Sequence, residues 1–391
     1  DPAAPPVPFS AYVTDSCNIQ LPSEPNKVLG GEFTVENIKT RWKKSADALV
    51  ALHTDLNQVE HAPTEYVLKA ACADVCRATY SLRLHGDKLA PADLHEYTKV
   101  LRESLGRTLE GQVGDEAWEQ AMCSVKDGGL GFSAPEALAT PAFVASRVTA
   151  RPGAVALFQR LEQAGLAPPG LLVEAYDART RLAIDAVLAN CPEGHHVRDH
   201  ILDAIHAAGE AAQASWDTME AGAQPDRESA PRTATSAAGL LDEDEVGQDL
   251  PGVGPLQRRI TRLLDSLKLE AMKAGWLQRG DWKARRRLAE LQDPDTDHQW
   301  VTALNPELGG VLAPDEWTTC IRMRIGAPVL SSARVCAACG ENVLDTLGYH
   351  ALCCAKAEST KGHYAVRNAL ARAFVAGDPA TELETEGLIP S

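Results

Sequence analysis

Cys336, Cys339, Cys353 and Cys354 crowd into the stretch CAACGENVLDTLGYHALCC, with His350 standing between the two pairs. Two cysteines separated by two residues can aim both thiolates at one point from a single tight turn. Cys336 and Cys339 have that spacing, and Gly340 follows them, free to take the positive φ such turns need. His350 and Cys354, with three residues between them, supply a second pair if they come from the first turn of a helix. Cys353 is the spare candidate should the helical phase differ. Three sulfurs and one imidazole are donors that Zn2+ takes at tetrahedral corners, and a site closed by four protein ligands is structural rather than catalytic. A disulfide staple is disfavoured. The opening DPAAPPVPFSAYVTDSC has no basic region followed by an apolar stretch, and the scattered remaining cysteines form no framework.

A second chemistry is carried by charge. Between Arg258 and Arg287 the cations are Arg258, Arg259, Arg262, Lys268, Lys273, Arg279, Lys283, Arg285, Arg286 and Arg287. The acids there are Asp265, Glu270 and Asp281, so this stretch is +7 in a chain that is −16 overall. Such cations can track a phosphate backbone, and the interleaved Trp276 and Trp282 can serve as stacking platforms for bases. The plainer reading is a solvated helix face balanced by the acidic residues just upstream. Other constellations are weaker. His195, His196, His200 and His206 follow Cys191, and His196 and His200 have helical metal-binding spacing. They lack the glutamate a zinc hydrolase needs and read as a solvated face. Cys72 and Cys76, sharing a helix face with Leu68 and Thr79, read as small core hydrophobes. YVTDS at Tyr12 is a chance near-match to a polymerase Tyr-x-Asp-Asp, and no P-loop, nucleophile elbow or dinucleotide fingerprint is present.

Helices must position these groups. Ala and Leu abound, aromatics are 5%, and β-branched residues are sparse. Residues 1–33 read as Pro-rich coil ending in a turn at Gly30-Gly31. From Thr34 an apolar stripe runs through Ile38, Trp42, Leu49, Leu52 and Leu56. A second helix is expected across PTEYVLKAACADVCRATYSLRL and a third across PADLHEYTKVLRESLGRTL. The DGGLGF glycine turn separates further helices. Two more are expected near LLVEAYDARTRLAIDAVLAN and HHVRDHILDAIHAAGEAAQASW. Residues 221–253 read as a disordered acidic linker, and one basic helix then runs from LQRRITRL to RRRLAEL. HQWVTALNPELGGVLAPDEWTTCIRMRIGAPV is a short mixed segment before the cysteines. A helix through Val366, Leu370 and Phe374 and the opening of a strand at TELETEGLIPS close the chain. No stretch is long and apolar enough to span a membrane.

The order VLGGEF, YSLR, VKDGGLGFSAPEALATPAFVAS, CAACG…D..GYHALCC and ALARAF resembles the non-LTR retrotransposon reverse transcriptases. More narrowly, it is similar to the class with a C-terminal CCHC zinc knuckle and a restriction-like endonuclease. The likeness is most specific at Gly128–Phe132, with Ala145-Ser146 after it, and at the cysteines. It implies a mainly α chain: end of palm at 1–33, a helical thumb-like bundle at 34–150 and a helical connector at 151–220. A basic helical linker at 254–330, a small zinc knuckle at 331–365 and the start of a truncated α/β nuclease domain at 366–391 would follow. Trp118 and Gly128–Gly131 would be thumb landmarks. Arg287, Trp300, Pro306 and Arg322–Gly326 would belong to the linker.

Under that resemblance Cys336, Cys339, His350 and Cys354 are the structural Zn2+ ligands. His363 falls on the histidine of an Arg-His-Asn motif that here reads Gly362-His363-Tyr364, and Glu384 on the nuclease's first acidic residue. The polymerase aspartates that bind Mg2+ would precede Leu29, and the nuclease's Asp and Lys would follow Ser391. The chain reads as a piece of a longer protein, and no polymerase or nuclease activity is expected of it alone. The expected partners are RNA and/or DNA, with no membrane, in an intracellular, nuclear setting. Two rival readings remain. One is a zinc-stapled helical scaffold that binds proteins. The other is a non-functional retroelement relic.

Overall fold

A computed structural model describes residues 27–28, 31–32, 34–221, 253–304 and 311–354. Residues 222–252 of the expected acidic linker (221–253), the terminal helix and strand, His363 and Glu384 lie outside the described residues. The chain divides into two compact units, Asp1–Thr318 and Thr319–Ser391. The described residues are mainly helical, with two pairs of two-residue strands. Among them no helix is long and apolar enough to cross a membrane.

In the first unit β1 (Lys27–Val28) pairs antiparallel with β2 (Gly31–Glu32), Val28 opposite Gly31. Helix α1 (Val35–Leu56) is capped by Thr34, whose hydroxyl accepts the Asn37 N–H. Its buried stripe is Ile38, Trp42, Ala46, Leu49 and His53. Leu52 and Leu56, expected in that stripe, are only half-buried. His53 takes the place by pairing a ring nitrogen with the Ala73 carbonyl at 2.6 Å. Burial holds its pKa down at about 4, so the ring is neutral in the fold.

The expected helix over 63–84 is two helices, α2 (Ala62–Cys72) and α3 (Thr79–His85), broken at Ala73-Asp74. The break is held by burial: Asp74 is 5% exposed and accepts the Ser133 N–H at 3.3 Å. Ala73, Val75 and Ala78 fill the core around it. Cys72 and Cys76 are exposed, which overturns their reading as core hydrophobes. Without a continuous helix the two no longer follow the apolar stripe.

Asp74 makes the fold pH-sensitive. Burial pushes its carboxyl from 3.8 up to about 7. A carboxyl raised on folding adds stability at low pH and loses it as pH climbs through the folded value. The Asp74→Asn chain should therefore gain stability relative to the parent between pH 5 and pH 8, by roughly 2–3 kcal/mol. Urea denaturation of both proteins at the two pH values measures this. The His53 contribution, which acts in the opposite sense below pH 6.5, cancels in the difference. A constant difference would mean that Asp74 is ionised throughout.

Helix α4 (Pro91–Thr108) begins at proline, and the Asp93 side chain accepts the Ala90 N–H. Its buried Leu94, Leu101 and Leu105 lie on the inner face. Helix α5 (Asp115–Ala121) leads into the glycine turn, where Gly128 has φ +85° and Gly131 φ +72°. A Cβ on Gly129 would stand 2.1 Å from the Cys123 carbonyl oxygen, so only glycine fits. Gly129→Ala should therefore lower the melting temperature markedly, whereas Gly114→Ala, with nothing within 4 Å of its added Cβ, should not. A thermal melt of each variant checks this.

Helix α6 (Pro135–Gln163) runs unbroken through position 150, where the sequence reading set a division. With α7 (Leu171–Leu188), α8 (His196–Glu220) and α9 (Val253–Gln278) it encloses an apolar core that includes Val144, Val187, Ile201 and Ile260. The expected single basic helix is also two. Gly280, at φ +68°, ends α9, and Asp281 caps α10 (Trp282–Leu291) by accepting the Ala284 N–H at 3.0 Å.

Helix α9 is buried on two sides. Ile260 and Leu264 face the α6–α8 core. Leu269, Met272 and Trp276 pack instead with Ala284 and Leu288 of α10. At 3.6 residues per turn, Leu269 lies about 140° round the helix from Leu264. The mixed segment contains a helix not expected from the sequence, α11 (Pro314–Ile325), which crosses the boundary between the units. In the first unit its Trp317 packs on Tyr66 and donates its indole N–H to the Val301 carbonyl.

In the second unit β3 (Arg334–Val335) pairs antiparallel with β4 (Val343–Leu344), Arg334 opposite Leu344 and Val335 opposite Val343. A short helix, α12 (Tyr349–Cys353), follows Gly348. The Val329 and Leu330 N–H groups both donate to the Thr346 carbonyl, which ties the strand pair to the segment entering it.

Candidate metal centre and basic face

The β3–β4 connection supplies the first two cysteines. The Cys336 N–H donates to the Asn342 carbonyl and the Gly340 N–H to the Cys336 carbonyl, each at 2.8 Å. Gly340 takes φ +70° to close that turn, as its place in the sequence implied. His350 stands on the first turn of α12, and Cys354 follows the helix in extended conformation. One ligand atom from each of Cys336, Cys339, His350 and Cys354 lies within 4.8 Å of all the others. The Cys336 and Cys354 sulfurs are 3.8 Å apart, and Cys339 Sγ is 3.3 Å from His350 Nε2. A tetrahedron with Zn–S near 2.3 Å has S···S edges of about 3.8 Å and slightly shorter S···N edges. These two edges match that geometry, and the cluster could hold a metal ion compatible with zinc. Among the described residues no other group of three or more such side chains gathers in this way.

The electrostatics suit a thiolate ligand. The Asn342 and Glu341 backbone N–H groups, with help from His350 and Cys336, hold the Cys339 thiol down at about 6. Cys336 and Cys354 are buried while Cys339 is half-buried. The centre thus has a dry side and a solvent-facing side.

The basic residues divide. Arg258, Arg259, Lys273 and Arg285 are exposed and have no ion-pair partner among the described residues. Arg258 and Arg262 are one helical turn apart, on the side of α9 turned away from Ile260. Lys283 is half-buried. Lys268 pairs with Asp265 at 3.1 Å, Arg279 with Glu116 at 2.7 Å and Arg286 with Glu290 at 2.7 Å. Arg287 reaches back to Gln120, which in turn donates to the Gly128 carbonyl, so this arginine ties α10 to the glycine turn. Of the two tryptophans, Trp282 is 61% exposed and Trp276 is 1% exposed. Trp276 is a core residue and cannot be a stacking platform.

His196, His200 and His206 are exposed, as a solvated face requires. His195 instead caps α8 through the Val197 N–H and lies 3.4 Å from Glu270. It lines a cleft of about 930 Å³ between α4, α5, the start of α6 and α9, with Trp118, Met122 and Leu264 on its walls. Sequence reasoning missed this cleft, whose residues are scattered from His95 to Ala274.

The described residues form a mainly helical protein with a Cys3His cluster that could hold a metal ion. No protein-family model, no curated protein and no solved structure matches the chain.

Proposed function

We infer that this chain is a nucleic-acid-binding segment of a retrotransposon-type reverse transcriptase, with a zinc knuckle as one of its parts. Helices α1 to α6 would act as a thumb against duplex backbone, and α9, α10 and the knuckle would grip template RNA or target DNA. The observation that carries this reading is that Arg258, Arg259, Lys273 and Arg285 on α9 and α10 are exposed and have no acidic partner among the described residues, in a chain whose net charge is −16. Trp282, exposed among them, offers a face on which a base can stack. The resemblance at Gly128–Phe132 and at the cysteines supplies the parent protein, and residues 366–391 would open its nuclease.

Binding of the full chain to single- and double-stranded RNA and DNA across a salt series tests the reading. About four phosphate contacts give a slope of log K on log salt near −3. Arg258→Glu with Arg259→Glu is expected to reduce that slope by about 2. Absence of salt-dependent binding would leave the second reading, a zinc-stapled scaffold for protein partners. The pairs Arg279–Glu116 and Arg286–Glu290, which neutralise part of the basic stretch internally, favour that alternative.

A further inference from the structure

The four ligand groups are not equally protected. Cys336 and Cys354 are 6% and 1% exposed, so both are shielded from solvent. Cys339 is the half-buried cysteine of the set, on the side open to water. A thiolate bound to a metal keeps lone pairs that water, acid or an electrophile can attack, and attack there opens the centre. What covers that sulfur therefore matters. Its neighbour is Asn342, whose side-chain nitrogen lies 3.8 Å from Cys339 Sγ. The same residue's carbonyl accepts the Cys336 N–H at 2.8 Å, so its backbone is fixed to the other cysteine of the turn. The Glu341 and Asn342 backbone N–H groups also point at the Cys339 sulfur. A thiolate only accepts hydrogen bonds, so the amide must present its NH2 end and not its oxygen.

The geometry points to Asn342 as a positioning residue of the metal centre, a side-chain donor that covers the one solvent-facing thiolate and slows release of the metal. It rests on the reading that the cluster holds zinc. Its action is through Cys339: the N–H···S contact draws charge from the sulfur, orients its lone pairs and keeps solvent from the Zn–S bond. Hydrogen-bond partners outside the ligand shell commonly change metal affinity 10–100-fold. Asn342 is exposed, and water competes for its amide, so its effect belongs at or below the lower end of that range.

The test uses the full chain loaded with zinc, and follows transfer of the metal to a chromophoric chelator. Asn342→Ala removes the donor and is expected to speed release by about threefold to tenfold. Asn342→Asp keeps the shape but sets a carboxylate against the thiolate, and should release faster still. Asn342→Gln, which retains an amide, should recover part of the loss. Each variant is also loaded with Co2+. Full thiolate-to-cobalt absorption at saturation shows that the four ligands still assemble, and a shift of that band in the aspartate variant reports the altered charge on sulfur. Release rates within twofold of the parent for all three variants overturn the assignment while leaving the metal site intact. Equal acceleration by alanine and aspartate, with no band shift, also overturns it, because a packing role alone would give that pattern. A parent chain that binds neither zinc nor cobalt overturns the assignment together with the reading beneath it.

Discussion

Removing the metal, by a strong chelator or by Cys336→Ser, is expected to unfold the segment from Pro328 to Cys354 and leave the helices before it in place. The reason is the size of what remains. Between Gly326 and Cys354 the regular structure is two two-residue strands and a five-residue helix. So small a segment cannot bury enough apolar surface to offset its loss of conformational entropy. In comparable zinc-bound peptides the metal contributes an apparent 10–16 kcal/mol, most of it folding free energy. Elemental analysis should find one zinc per parent chain and none in Cys336→Ser. Hydrogen exchange should lose protection across 328–354 on chelation, while far-ultraviolet dichroism falls only slightly. Cys354→Ser should behave like Cys336→Ser, because the Cys354 sulfur is 3.8 Å from that of Cys336. Cys353→Ser should keep its zinc. Unchanged protection on chelation would sink the idea that metal holds this segment.

The second large effect is expected in the first unit, at Lys69. This side chain is 1% exposed, a burial almost never seen for lysine without partners. It is paired with Glu65 one helical turn earlier and donates to Asn57 Oδ1 and Thr108 Oγ1, each at 2.8 Å. Thr108 donates in turn to Glu65. Burial lowers the Lys69 pKa and Glu65 opposes that shift. Lys69→Met would leave the Glu65 carboxylate buried without its cation, and breaking such a pair from one side costs about 3–5 kcal/mol. Replacing both, as Glu65→Leu with Lys69→Met, should recover most of the loss, since a packed apolar pair needs no desolvated charge. Urea denaturation of the two single variants and the double variant measures the coupling. Additive losses would show that the two charges do not depend on each other.

What the sequence disclosed follows from how local each feature is. The Cys3His set was legible because a turn of fixed geometry makes Cys336 and Cys339 converge, and one short helix brings in the other two. Helix α4 was legible because Pro91 opens it and its apolar stripe obeys a single period. The break at Asp74 was not, since its partner is the Ser133 N–H, 59 residues away, and no glycine or proline marks the spot. At Gly280-Asp281 the signals were present, a glycine stop followed by a cap, but an unbroken run of cations masked them. Trp276 was misread for the same reason. Its burial depends on Leu288 folding back on it, which needs the break. The cleft could not be found at all, because it exists only once several helices have met.

The burial of α9 on two sides has a mechanical consequence. A helix packed along one stripe can roll on its neighbours at small cost, because the same side chains slide through shallow grooves. One held on nearly opposite sides at its two ends cannot, since any roll would pull either Ile260 and Leu264 or Met272 and Trp276 out of their seats. It behaves as a torsion bar. A load applied where Trp282, Arg285 and Arg286 meet the solvent would arrive as torque among α6, α7 and α8, with little lost along the way.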